Sequence, residues 1–587
     1  NISIQYLFSF NMLLLSSKIN KIYNNQTMKM MMSTQTSSGH LGSIQLPAIK
    51  NEPCFSYAPG SRERGLLRAA MDDILAQGEV EVPCIVGGKE VFTGNTDTHV
   101  MPSKHAHVLA RFHEADESTL QQAVKASREA KESWASLPLE HRLSVFRKAG
   151  DMLASDQWRY KMVAATMLGQ SKNIWQAEIE AAAESVDFFR FCAKYALDIY
   201  KSQPEHHDPN VWNRMEYRPL EGFVLAISPF NFTAIAANLP TAPAIMGNTV
   251  VWKPSSTAML SNYYMFQLMR EAGLPDGVVN FTPGSGSLVG SALVKHPEMT
   301  GIHFTGSTKT FNTIWRSVAD SLDNYKTYPR IVGETGGKNF AMVHESAHYE
   351  NTLNNIVRGA FEYQGQKCSA TSRLYVPRSM WESRLKSDLV NIVNNKVKQG
   401  CPTDFEVFMC AVIDKPAFDK ISGFINRASK SDNAQVIAGG KYDESTGYFI
   451  EPTVIETTDP HYETMCEEIF GPVLTVYAYD DDKFDDVLAL ADRTSQYGLT
   501  GAIFAQDRHA LEHASSVLRN ASGNVYYNDK STGAIVGQQP FGGARKSGTN
   551  DKAGHAMNLL RWTSVRSIKE NFVPITDFLY PHNQPGN

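Results

Sequence analysis

The chain lacks cysteines at paired spacing. Its seven, Cys54, Cys84, Cys192, Cys368, Cys401, Cys410 and Cys466, are odd in number and form no Cys-x-x-Cys unit. In so long a chain this argues against a disulfide framework and a thiolate zinc cluster, and it fits a reducing compartment. No apolar run reaches the roughly 18 residues that a membrane helix needs, so no membrane insertion is expected. Positive charge is not in excess: 56 Lys and Arg against 61 Asp and Glu give a net charge of -5. That balance gives no reason to expect a nucleic-acid partner.

Acidic residues are missing from 1–51, a stretch that carries Lys18, Lys21, Lys29 and Lys50 and is rich in Ser, Thr and Asn. An acid-free, hydroxyl-rich amino-terminal stretch suits a mitochondrial presequence, although this one has no Arg. A translated leader ahead of a start at Met12 or Met28, or a plain disordered tail, are the alternatives. The apolar run at 12–16 is too short for a secretory signal. What remains is ordinary for a soluble globular protein, with 42% apolar and 20% charged residues. Its 587 residues suffice for two or three domains.

Segments between 53 and 102 are short and punctuated by Gly and Pro, which suggests an arm and a hairpin. Leu120, Ala123, Val124, Ser127, Ala130 and Trp134 recur at helical spacing, with Ser118 as the expected cap and Pro138 as the stop. Leu143, Phe146, Ala149 and Leu153 continue as a second helix. A long helix is expected over 174–200, with Glu178, Glu180 and Asp187 on a solvated face. Glu184 stands apart: it lies amid Ala181, Ala182, Ala183, Val186, Phe188 and Phe189, where a carboxylate needs a partner. From 223 onward, apolar runs at 223–227, 249–252, 278–281 and 302–304 alternate with helical segments at 257–271, 287–295 and 309–321. Such alternation implies a parallel sheet of Rossmann type. After Pro329 the pattern begins again, with strands near 330–333 and 340–343 and a helix over 352–363. The fold class is therefore α/β, with a second α/β unit.

The stretch of greatest chemical interest runs from Phe361 to Ser372, with Cys368 at its centre. Thiolate is the nucleophilic form, and a thiol with a pKa of about 8.5 needs neighbours that favour it. Lys367 is adjacent, and Gly365, Ser369 and Ala370 leave room for a substrate. A lone cysteine among small residues is more often a buried small hydrophobe, so its company decides. Upstream, Glu334 sits in Val-Gly-Glu-Thr-Gly-Gly-Lys-Asn-Phe (332–340). Strings at 227–232 (Ile-Ser-Pro-Phe-Asn-Phe), 251–256 (Val-Trp-Lys-Pro-Ser-Ser) and 304–307 (Phe-Thr-Gly-Ser) each end an apolar run in a turn. Doubly wound sheets place their ligands at such turns. Gly-rich 284–290, which includes Gly286, opens a helix in a way suited to a pyrophosphate, though its spacing is not Gly-x-Gly-x-x-Gly. Glu-Glu-Ile-Phe-Gly-Pro (467–472) and Pro-Phe-Gly-Gly (540–543) follow downstream.

Taken in order, these strings resemble the aldehyde dehydrogenase superfamily over roughly 90–565. The wording of 228–235, 333–340, 364–370 and 536–545 resembles its delta-1-pyrroline-5-carboxylate dehydrogenase branch, which oxidises L-glutamate 5-semialdehyde to L-glutamate with NAD in proline breakdown. The resemblance implies Cys368 as nucleophile and Glu334 as the base that hydrolyses a thioester. It also implies the Asn231 amide and the Cys368 backbone N–H as oxyanion donors. Glu334 sets the chain apart from the branch that passes its acyl group to coenzyme A. For the cofactor it implies Ser228, Gly286 and Gly306 along the crevice, Ser307 at the pyrophosphate, Lys253 at the adenosine ribose, and Glu468 and Phe470 at the nicotinamide ribose. Ser255, Ser256 and Thr257 supply no acid against a 2'-phosphate, so the preference for NAD rests on the resemblance.

For the substrate it implies Phe232 and Phe541 beside the aliphatic part, and Ser369 with the backbone at Gly533 and Ala534 on the carboxylate. Some relatives have serine at the Ala534 position. Glu184 is expected to face the α-ammonium group. No metal is expected. The resulting division is a presequence or tail over 1–52, an NAD-binding domain over 53–328 with an oligomerisation flap at 203–218, a catalytic domain over 329–540, and a return to the first domain with a carboxyl-terminal oligomerisation segment over 541–587. A homodimer in the mitochondrial matrix is expected. The alternatives are another semialdehyde dehydrogenase of the same fold and a catalytically silent structural protein, against which Cys368, Glu334 and Asn231 together argue.

Overall fold

Short apolar runs make the first sheet. Phe223–Ile227, Thr249–Lys253, Val279–Phe281 and Met299–Thr305 are almost wholly buried, as strands covered by helices on both faces must be. In the computed structural model, which describes residues 42–585, they pair in parallel. The spatial order is Arg330–Glu334, Met299–Thr305, Phe223–Ile227, Thr249–Lys253, Val279–Phe281, and then an antiparallel hairpin of Cys84–Val86 and Lys89–Val91. Strand order reverses between Phe223–Ile227 and Met299–Thr305, which opens a crevice beyond their carboxyl ends.

Arg330–Glu334 corrects the expected boundary at 329. This strand pairs with Met299–Thr305 as the edge of the first sheet and does not open the second. A five-residue apolar strand carries no mark of the sheet it will join; only the pairing reveals it. Its consequence is that Glu334 ends the first sheet while Cys368 belongs to the second.

The second sheet runs Ala434–Ala438, Thr453–Thr457, Val473–Tyr479, Thr371–Pro377, Asn339–Val343, Thr500–Phe504, Asn524–Tyr527, parallel except at its first edge. Val211–Pro219 and Thr563–Asn571 form an antiparallel ribbon, with Trp212 and Val565 exposed on it. Beyond it Phe572, Ile575, Phe578 and Tyr580 are exposed as well.

Two local expectations change. Helix Glu117–Ala135 is capped by Asp116, not Ser118: its carboxylate accepts the Thr119 N–H at 2.7 Å, and an ionised oxygen is the better acceptor for an N-terminal N–H. The supposed arm holds a 16-residue helix, Arg62–Gln77, of which only Leu67, Met71 and Ile74 are buried, too sparse a stripe to stand out in sequence. The expected presequence, over 1–52, lies mostly outside the described residues, since 1–41 are not among them. Its described part is built into the body: Ile44 and Leu46 pack on the core, and Glu52 pairs with Arg159 at 2.7 Å and Arg190 at 2.6 Å. Among the described residues, no helix is long and apolar enough to cross a membrane and no His, Cys, Asp and Glu group could hold a metal ion.

Candidate active site

The nucleophile follows an unusual turn. Helix Tyr349–Phe361 stops, and Tyr363 (φ +52°), Gln364 (φ +54°) and Gly365 (φ +65°) then lie consecutively in the left-handed region. For the two non-glycine residues this costs on the order of 1–2 kcal/mol each, so other contacts must hold it. The buried Gln364 amide does so. Its Nε2 donates to the carbonyls of Ser171 (2.9 Å) and Ala411 (2.7 Å), and its Oε1 accepts the Cys410 N–H (3.0 Å). At Gly365 a Cβ would stand 2.1 Å from the Gly471 carbonyl oxygen, so only glycine fits. On the far side of the turn, Asn339 Nδ2 donates to the carbonyls of Cys368 (2.7 Å) and Ala370 (2.8 Å).

The Cys368 thiol is buried, and burial pushes it well above its ordinary pKa, with Glu334 and Glu468 adding to the effect. The backbone N–H groups of Cys368 and Ser369 oppose that shift, so they face the sulfur. Lys367 does not act as its position beside Cys368 suggests. Its ammonium is committed to Glu362 at 3.2 Å, a carboxylate that it shares with Lys530. Asn231 Nδ2 donates to the Gln366 carbonyl at 3.1 Å, which leaves its second N–H for an oxyanion.

Glu334 lines the same cavity as Cys368. Its Oε1 is sealed from solvent and has no hydrogen-bond partner among the described residues. Burial raises its pKa to about 8, opposed by the charge of Lys552 and reinforced by that of Asp551. A carboxyl that is poised near neutrality, with one oxygen lacking a hydrogen-bond partner, suits a general base.

The cavity, of about 90 Å³, brings the expected substrate residues together: Phe232, Phe541, Ser369, Gly533, Ala534 and Glu184 all line it. Phe188, Ile235 and Val536 complete its apolar wall, and Ser369 Oγ shares a 2.7 Å hydrogen bond with Thr532 Oγ1. Glu184 ends a wide turn, Glu178–Glu184, set within the continuous helix from Ile174 to Lys201. Such π turns concentrate at functional sites. Burial raises the Glu184 pKa to about 8, with Glu180 adding and Lys172 opposing.

The expected solvated face of this helix is buried instead. Glu178 takes the Tyr57 hydroxyl (2.6 Å) and Arg159 Nε (3.2 Å), and Asp187 takes Asn51 Nδ2 (2.7 Å). Glu180 lies 2.8 Å from Lys172, whose ammonium also sits 4.3 Å above the rings of both Phe232 and Tyr363. Glu180, Glu362 and Lys530 line the cavity and Lys172 packs on Phe232; sequence reading gave none of the four a site role. The Lys-Ser-Thr ahead of Gly533 was the one available signal for Lys530.

In the crevice of the first sheet, Ser307 caps helix Thr308–Ala319, and the Gly306 N–H donates to the Glu334 carbonyl at 3.2 Å. Gly286 opens helix Gly286–Ala292 with free space where a Cβ would stand. Lys253 ends its strand with burial lowering its pKa to about 8; its ammonium donates to the Pro254 carbonyl at 3.1 Å and keeps further donors. Glu468 Oε1 accepts the Gly337 N–H at 2.8 Å, and Phe470 (φ +60°) stands edge-on to Phe230. Ser228 is not brought into the crevice by its side chain: its hydroxyl donates to the Ala236 carbonyl (3.0 Å) and accepts Trp252 Nε1 (2.7 Å), so only its backbone could meet a ligand. A switch-point crevice with an under-satisfied, half-buried cation and two glycine-led helix entries fits a dinucleotide.

Comparison with known proteins agrees with this geometry. Residues 93–568 match the model of the aldehyde dehydrogenase family. The chain belongs to that family. It is 53% identical to the mitochondrial delta-1-pyrroline-5-carboxylate dehydrogenase of Dictyostelium discoideum, over 92% of this chain and 97% of the relative. It is 49% identical to the mitochondrial enzyme of the same name from Homo sapiens, over 91% and 95% of the respective lengths. Among solved structures, the NAD-bound delta-pyrroline-5-carboxylate dehydrogenase of Mycobacterium tuberculosis superposes with a TM-score of 0.89 at 47% identity, covering 92% of this chain and 99% of that one. The family's two-sheet α/β architecture is the one described above.

Proposed function

We propose that the chain catalyses the NAD-dependent oxidation of L-glutamate 5-semialdehyde, the open form of 1-pyrroline-5-carboxylate, to L-glutamate in proline breakdown. The observation that carries this reading is a single cavity lined at once by a thiol, a base with one unpartnered oxygen, three aromatic rings, a buried acid and a hydroxyl-and-backbone loop. Relatives named for this reaction, several of them mitochondrial, support it.

Glu334 takes the thiol proton of Cys368, and the sulfur attacks the aldehyde carbon. The oxyanion that forms accepts the free Asn231 N–H and the Cys368 backbone N–H. The bound dinucleotide supplies the hydride acceptor for that adduct. Gly286, Gly306, Ser307, Lys253, Glu468 and Phe470 hold it, together with the Ser228 backbone. Once the thiol proton has passed from Glu334 to solvent, its carboxylate removes a proton from water, which attacks the thioester at the carbonyl carbon and expels the Cys368 thiolate. Phe232 and Phe541 flank the aliphatic chain, Ser369 with the Gly533 and Ala534 backbone meets the carboxylate, and Glu184 meets the ammonium. The exposed ribbon and carboxyl-terminal apolar residues support pairing with a second copy of the chain, and the mitochondrial relatives support a matrix location.

Steady-state rates on L-glutamate 5-semialdehyde, succinate semialdehyde and pentanal test the proposal. The expected result is the highest kcat/KM for glutamate semialdehyde with NAD; equal values on all three would overturn it.

A further inference from the structure

We propose that Lys530 is a specificity-determining residue: with Lys367 it shares the one carboxylate of Glu362, and the positive charge left over selects aldehydes that carry a carboxylate. The inference rests on the proposed function for its natural substrate but not for its test.

Lys530 Nζ donates to both oxygens of Glu362 at 2.7 Å, and Lys367 Nζ lies 3.2 Å from one of them. All three groups line the cavity and are largely buried, with side-chain exposures of 18%, 7% and 6% for Lys530, Lys367 and Glu362. Two lysines face one carboxylate, so one ammonium has no carboxylate of its own; burial and the charge of Lys530 lower the Lys367 pKa, and Glu362 opposes that shift. Despite burial, the two lysines hold Glu362 below its ordinary pKa, so the carboxylate stays ionised.

The rest of the cavity does not cancel this charge. Lys172 neutralises Glu180 at 2.8 Å. Burial raises both Glu334 and Glu184 to about 8, which keeps them largely protonated near neutral pH. The lysine without a carboxylate of its own is thus left for the ligand, and an aldehyde bearing a carboxylate pairs with it. The cavity is small and its three charged groups are largely buried, so water screens the unmatched charge less than it would at the surface.

Position supports the role. Lys530 begins the segment that becomes the Gly533 and Ala534 loop, and that segment is pinned to the nucleophile strand: Ser531 Oγ donates to the Ser369 carbonyl at 2.8 Å and shares a 2.9 Å hydrogen bond with Thr371 Oγ1. The cation and the carboxylate-binding loop are held as one unit beside Cys368.

The test uses the full chain with three aldehydes: glutamate semialdehyde, succinate semialdehyde, which has a carboxylate and no ammonium, and pentanal, which has neither. Lys530→Met should lower the ratio of kcat/KM for either carboxylate aldehyde to that for pentanal by about tenfold or more, mostly through KM. Lys530→Arg should keep the ratio. The double variant Lys530→Met/Glu362→Gln leaves Lys367 as an unopposed cation and should restore it. Equal losses on all three aldehydes in Lys530→Met, an unchanged ratio, or no recovery in the double variant would overturn the proposal. Wild-type protein inactive on glutamate semialdehyde would sink the functional reading instead, while the ratio of succinate semialdehyde to pentanal would still decide the role of Lys530.

Discussion

The Lys367 ammonium lies 3.2 Å from the Glu362 carboxylate, and this pairing takes the residue next to Cys368 in sequence out of service as an activator of its thiol. Activation falls to Glu334, whose pKa of about 8 means that it carries its proton below that pH and gains basicity as pH rises. Alkylation of Cys368 by iodoacetamide should therefore rise about tenfold per pH unit from 6 and level off near 8. In Glu334→Gln the inflection near 8 should vanish. An unchanged profile in that variant would assign thiol activation elsewhere.

Asn231→Ala should lower kcat by about 100-fold or more, the usual cost of one oxyanion donor. The Kd for NAD should stay the same, because the amide reaches the Gln366 carbonyl rather than the dinucleotide crevice. Titration of the variant with NAD, read beside its steady-state rate, checks both halves.

Gln364→Met removes three buried hydrogen bonds while keeping the side-chain volume. The left-handed turn then loses its tether, and the expected cost is about 1–3 kcal/mol of stability by urea denaturation. Labelling of Cys368 should slow in the folded variant. Wild-type labelling at reduced stability would mean that the turn holds without the amide.

Glu184→Gln should raise KM for glutamate semialdehyde and leave the KM for succinate semialdehyde, which lacks the ammonium group, nearly unchanged. In the wild type, binding of L-norvaline should strengthen as pH rises from 6 to 8, since Glu184 sheds its proton only near 8. Isothermal titration across that range measures it, and flat affinity would free Glu184 from this role.

The order of strands and helices over 223–321 was readable because strands buried on both faces are nearly continuous apolar runs. The turns at Asn231, Glu334 and Cys368 were readable from their wording. What escaped depended on pairing between distant segments. Nothing local tells that Arg330–Glu334 completes the first sheet, or that Glu178, with the same neighbours as any surface acid, meets Arg159 and Tyr57 in the interior. Lys172, 196 positions before Cys368 and with no motif around it, is placed over Phe232 only by packing. That the Ser228 hydroxyl is taken up by Ala236 and Trp252 could not be read either, since these partners come together only in the fold.

The central claim is that Cys368 carries the acyl group and Glu334 releases it. Mixing Glu334→Gln with NAD and glutamate semialdehyde, quenching in acid and mapping the peptides by mass spectrometry tests this most directly. The account predicts no more than one NADH per Cys368, formed slowly because thiol activation is lost too, and a glutamyl adduct confined to the peptide containing Cys368, with neither product in Cys368→Ala. Normal steady turnover in Glu334→Gln, or an adduct on any other residue, would contradict it.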